Sequence, residues 1–145
     1  MWTPTERVRP LSIVVLTILA LILGVLALLA GAAMFLVAGL LAHMHSPMPM
    51  HMPMTLPAYM LMALGGFYVA VAVIYFVTAY GYWTGRGWAW IVGLALAILG
   101  IILGVISFPI GILDIIVNAV IIYLLTRPAV REYLGRAPTP PTPTL

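Results

Sequence analysis

The sequence predicts an all-α polytopic membrane protein with four transmembrane helices in a bundle and both termini cytoplasmic. Three observations predict it. The 145 residues are 65% hydrophobic and 6% charged, with a mean hydropathy of +1.22, far outside the soluble range. Long apolar stretches divide the chain, and the first runs from Leu11 to Ala42 without a charged residue. The basic residues are all arginines, and they fall only in segments that an even number of crossings places on one side.

Residues 1–10 form a polar lead with Glu6, Arg7 and Arg9, and Pro10 suits the first turn of a helix. The membrane domain, residues 11–127, follows. Its first span, about 11–42, would be about 48 Å long at helical rise, against roughly 30 Å of hydrocarbon. It must tilt, kink or project its outer end into protein. Arg7 and Arg9 before an apolar run, with Ala30-Gly31-Ala32 further on, also fit a cleaved signal peptide. The apolar core of such a peptide is only about 7 to 15 residues long, so an uncleaved span is expected.

The second span, about 57–79, ends in Tyr80-Gly81-Tyr82-Trp83, aromatics suited to headgroup depth. Thr84-Gly85-Arg86-Gly87 then makes a tight reversal, its glycines tolerating positive φ. Trp88 and Trp90 open the third span, about 88–107. Phe108-Pro109 turns the chain into the fourth, about 110–125, and Pro128 closes it by disfavouring helical geometry at Arg127. Residues 128–145 are expected to form a cytoplasmic proline-rich tail. It holds one short amphipathic turn, Val130 to Leu134, before an extended Pro/Thr stretch from Pro138 to Pro143.

Arginine placement sets the orientation. Arg7 and Arg9, then Arg86, then Arg127, Arg131 and Arg136 share one side, which the positive-inside rule makes cytoplasmic. The connection at residues 43–56 then faces outward. The protein is expected in the cell membrane as a multi-pass chain.

Arg9-Pro10 leading into Leu16-Thr17-Ile18-Leu19-Ala20, Gly85-Arg86-Gly87-Trp88-Ala89-Trp90, and Tyr123-Leu124-Leu125-Thr126-Arg127-Pro128 through Val130-Arg131-Glu132-Tyr133-Leu134-Gly135 carry a resemblance. In these stretches the chain resembles small four-span integral membrane proteins, largely archaeal, of unknown function. The resemblance covers the spans but neither the 43–56 connection nor the proline tail. It implies a four-helix membrane bundle and no particular activity.

Small residues mark contacts between helices in lipid, where close packing and hydrogen bonds replace the hydrophobic drive. Ala20, Gly24, Ala27, Gly31, Ala38 and Ala42 recur on one side of the first span, and Gly93, Ala97, Gly100 and Gly104 on one side of the third. The second span spaces Tyr68, Tyr75 and Tyr82 for inter-helix hydrogen bonding. Asp114 is the acid inside a span. Desolvating a carboxylate costs about 2.5 to 3.5 kcal/mol even on lenient insertion scales, so it is expected to face the bundle. Asn118 one turn later and Gly111 one turn earlier would give a narrow polar face, with Asn118, Tyr68 or a backbone carbonyl as hydrogen-bond partner.

The densest chemistry is outside the spans. All three histidines and five of the nine methionines fall between residues 43 and 54: His43, Met44, His45, Met48, Met50, His51, Met52 and Met54. Thioether and imidazole are soft or borderline donors that select copper over calcium or magnesium. With no cysteine there is no competing thiolate site. Pro47, Pro49 and Pro53 deny regular structure, giving a segment able to wrap an ion but poorly preorganised, hence of modest Cu(I) affinity. The competing reading makes the methionines a pliable apolar contact surface for a partner or the lipid interface.

Other classes are disfavoured. A net charge of +3 scattered over the chain is no nucleic-acid footprint. No nucleophile triad, phosphate loop or in-span histidine points to an enzyme. Broken helices around a midplane site, the mark of many transporters, are missing from the pattern. The expected partners are the lipid bilayer and other membrane subunits or further copies of the chain. The expected role is an accessory or scaffold subunit with a copper-binding outer loop, or a dedicated Cu(I)-delivery protein.

Overall fold

The structure, a computed structural model, describes residues 9–44, 55–109 and 111–135. Its elements are α1 (Leu11–Met44), α2 (Thr55–Thr84), α3 (Gly87–Ile106), α4 (Ile112–Thr126) and α5 (Pro128–Tyr133), with no strand among the described residues. Three helical stretches are long and apolar enough to cross a membrane: Leu11–Met44, Ala58–Thr84 and Gly87–Ile106. The predicted fourth span is the 15-residue α4, about 22 Å long at helical rise.

Helix boundaries follow local chemistry. Pro10 immediately precedes α1, and its carbonyl accepts from the Ile13 N–H at 2.9 Å. The helix then passes the expected stop at Ala42, because nothing before Pro47 disfavours helical backbone. At 34 residues α1 is about 51 Å long. The second helix starts two residues earlier than expected, with Pro57 in a first turn that lacks intrahelical N–H partners anyway. It also continues through the aromatic cluster to Thr84. There Gly85, at φ 70°, donates to Tyr82 O at 3.2 Å while Arg86 donates to Gly81 O at 2.9 Å. This paired termination satisfies the last carbonyls and needs a left-handed residue, here glycine.

Ser107 to Pro109 turn α3 toward α4, with a cis peptide bond between Phe108 and Pro109. At the other end of α4, Arg127 is extended (φ −62°, ψ 136°), as the residue before Pro128 should be, and Pro128 opens α5. Gly135, also at φ 70°, ends that helix. The short amphipathic turn expected at Val130 to Leu134 is this element, begun two residues earlier by Pro128.

The chain divides into two compact units, residues 1–20 with 77–145 and residues 21–76, the boundaries falling inside α1 and α2. In the first unit α3 and α4 pair as an antiparallel hairpin. Ile13, Leu16, Ala79, Tyr82, Ala89, Leu96, Ala97, Ile121, Leu125, Val130 and Leu134 are buried there. Helix α5 closes one end through Val130 and Leu134, with the Tyr133 hydroxyl donating to the Trp83 carbonyl at 3.3 Å.

In the second unit the remainder of α1 packs on α2 where glycines meet. A Cβ on Gly31 would lie 2.9 Å from the Gly65 carbonyl, and one on Gly65 would lie 3.1 Å from the Gly31 carbonyl. Gly24 lies against the Phe76 ring. Ala27 and Ala38 are buried on the same side of α1, whereas Ala42 is exposed.

Candidate functional site

Of the eight candidate metal ligands, the structure describes two. His43 and Met44 form the last turn of α1, both exposed, and His45, Met48, Met50, His51, Met52 and Met54 lie outside the described residues. Since His43 and Met44 are helical, they point about 100° apart. No group of three His, Asp or Glu side chains able to hold a metal occurs among the described residues. The expected connection at 43–56 is accordingly shorter, with residues 45–54 joining the two helices.

Asp114 departs from its expected inward orientation. Its side chain is exposed, in the first turn of α4. The physical reason is where the helix begins. With Ile112 as first residue, Asp114 sits in the first turn, near the positive end of the helix dipole, which favours a carboxylate. The polar face expected to join Gly111, Asp114 and Asn118 separates into three environments. Gly111 is buried against the Gly104 backbone, Asp114 faces outward, and Asn118 is 1% exposed against Gly100. The Asn118 amide donates Nδ2–H to the main-chain oxygen of Asp114 at 2.8 Å, and its Oδ1 accepts no bond among the described residues. Tyr68 is half-buried in the 21–76 unit, edge-on to Phe67 with centroids 6.1 Å apart.

The glycines of α3 are receptacles for particular side chains. A Cβ on Gly93 would collide with the Tyr82 hydroxyl, and one on Gly100 with the Asn118 amide, whose Cγ would be 2.6 Å away. Gly104 meets Gly111 O at 2.8 Å and Ile115 Cγ1 at 2.7 Å in the same sense. Gly100→Ala should therefore cost about 1 to 3 kcal/mol through overpacking. Asn118→Ala in the same chain should recover most of that loss, because the obstructing atoms are gone. A double-mutant cycle of unfolding in detergent measures the coupling, and additive losses would contradict the contact.

Sequence reasoning missed one grouping entirely. At one end of the 1–20/77–145 unit, the Arg9 guanidinium lies 4.1 Å above the Trp83 ring and Arg131 lies 5.9 Å from the Trp90 ring. Arg127 covers Tyr123 at 5.3 Å and donates to its hydroxyl at 3.2 Å. Trp90 Nε1–H donates to Leu125 O at 3.0 Å. The lead before α1, the α2–α3 turn and the α4–α5 junction thus meet. The available signal was the recurrence of Trp or Tyr within each arginine-bearing segment. Comparison with protein-family models, curated proteins and solved structures found no match.

Proposed function

We propose that this chain is a non-catalytic multi-pass membrane protein that serves as a small accessory or scaffold subunit. It crosses the bilayer four times, with termini cytoplasmic and an extracytoplasmic Met/His segment that binds copper. The observation that carries the reading is the confinement of all three histidines and five of nine methionines to residues 43–54, flanked by two helices of 34 and 30 residues.

Several features support the topology. The meeting of Arg9, Trp83, Trp90 and Arg131 at one end of their unit fits a single arginine-rich membrane face, cytoplasmic by the positive-inside rule. Helix α4 retraces α3 from the Gly104–Gly111 contact to the Trp90–Leu125 hydrogen bond, which supports its being a crossing despite its length. Helices of about 51 and 45 Å exceed the hydrocarbon thickness by some 15 to 20 Å, a length that supports the end of α1 bearing His43 and Met44 extending beyond the lipid. The accessory role draws on Gly39 of α1 and Gly66 of α2. A Cβ added at either would meet nothing within 4 Å, so both leave small residues facing outward, where another membrane helix can approach closely.

A second reading follows from the same segment: a dedicated protein that buffers or delivers Cu(I) to a membrane cuproenzyme. Soft-donor chemistry favours copper in either case. Two measurements test the readings. Gentle extraction from native membranes should yield a complex larger than the monomer, and recovery of free monomer alone would overturn the accessory role. Cu(I) titration of the purified chain against a competing chelator should show binding, and its absence would overturn the copper assignment in both readings.

A further inference from the structure

We propose that the arginine-aromatic end of the 1–20/77–145 unit is a binding site for an anionic phospholipid headgroup. Among the described residues, the segments meeting there hold Arg9, Arg86, Arg127 and Arg131 against one glutamate, Glu132. Arg9, Arg86, Arg127 and Arg131 are all exposed. Three of these guanidiniums lie over aromatic rings. A guanidinium held by a ring face is fixed in place while its in-plane N–H edge stays open to donate, and that edge matches the paired oxygens of a phosphodiester.

The support for these groups is firm. Val130 is fully buried and Leu134 is 2% exposed, so α5 is held along this end and presents Arg131 beside Trp90. The Tyr133 hydroxyl bonds the carbonyl of Trp83, the residue whose ring carries Arg9. Two arginines from opposite ends of the sequence are thereby tied to one structural element. Around them Tyr80, Trp83, Trp88 and Tyr123 expose 61%, 44%, 37% and 59% of their surface. Such amphipathic rings suit the glycerol and upper acyl region next to a bound headgroup, which selects a lipid over a free anion. The charge balance selects an anionic lipid over a zwitterionic one.

Native mass spectrometry of the full chain in detergent, with phosphatidylglycerol or phosphatidylcholine added, tests the site. The parent should retain phosphatidylglycerol preferentially. Arg9→Gln and Arg131→Gln should each weaken that retention about fivefold. Glu132→Gln should strengthen it, a gain that misfolding cannot produce. Equal retention of the two lipids by the parent would overturn the proposal, as would variants indistinguishable from it. Displacement of the lipid by excess inorganic phosphate would also overturn it, by showing a free-anion site.

Discussion

Gly111→Ala is expected to destabilise the protein by about 3 kcal/mol, and Gly111→Leu to abolish the α3–α4 pairing altogether. A Cβ at this position would stand 2.6 Å from Gly104 Cα and 2.7 Å from its carbonyl carbon. Those are backbone atoms, so no rotamer change relieves the contact. The two helices would have to move apart, and separation would carry Asn118 away from the Gly100 backbone against which it packs. The lost packing around Asn118 and the strain at Gly111 then add in the same direction. Gly39→Ala is the matched comparison, since an added methyl there meets nothing within 4 Å. It should stabilise α1 by about 0.5 to 1 kcal/mol through helix propensity alone. Thermal or denaturant unfolding in detergent distinguishes the two, and a Gly111→Ala chain as stable as the parent would remove the backbone crossing from this description.

Converting His43, His45, His51, Met48, Met50, Met52 and Met54 together to alanine should weaken Cu(I) binding by at least about a hundredfold, near 3 kcal/mol. The size of the effect follows from donor supply. Elsewhere the chain offers soft donors only at scattered methionines, and no cysteine. Separating the donor types adds a pH signature. Imidazole must lose its proton to ligate, so acidification should weaken the parent, whereas a chain retaining only the methionines should bind more weakly but independently of mild acid. Competition against a Cu(I) chelator across pH reads both effects. Binding unaffected by the seven substitutions would place copper elsewhere or make it nonspecific.

The helical architecture was legible because composition, charge-free runs and turn residues all agree. The packing side of α1 was legible as well, through Gly24, Ala27, Gly31 and Ala38. Its counterpart on α2 was not. Gly65 and Gly66 are adjacent, and no periodicity says that one meets the Gly31 backbone while the other faces open space. Asp114 misled for a related reason. The desolvation argument places the acid well inside a span, whereas a start at Ile112 makes it a first-turn residue near the positive end of the helix dipole. The Arg9–Trp83 and Arg131–Trp90 pairings join residues dozens of positions apart, which only tertiary structure brings together. The metal-binding proposal rests on the identities of residues 43–54, because soft-donor selectivity depends on atom type before geometry.

Sidedness is the claim on which the rest depends, and the natural lack of cysteine makes it directly measurable. Single variants Ser46→Cys, in the Met/His segment, and Thr84→Cys, at the end of α2, can be probed in intact cells with a membrane-impermeant maleimide. Ser46→Cys should label at once, and Thr84→Cys only after the membrane is permeabilised. Labelling of Thr84→Cys with protection of Ser46→Cys in intact cells would put the arginines outside and the copper-capable segment in the cytoplasm, contradicting the proposed topology.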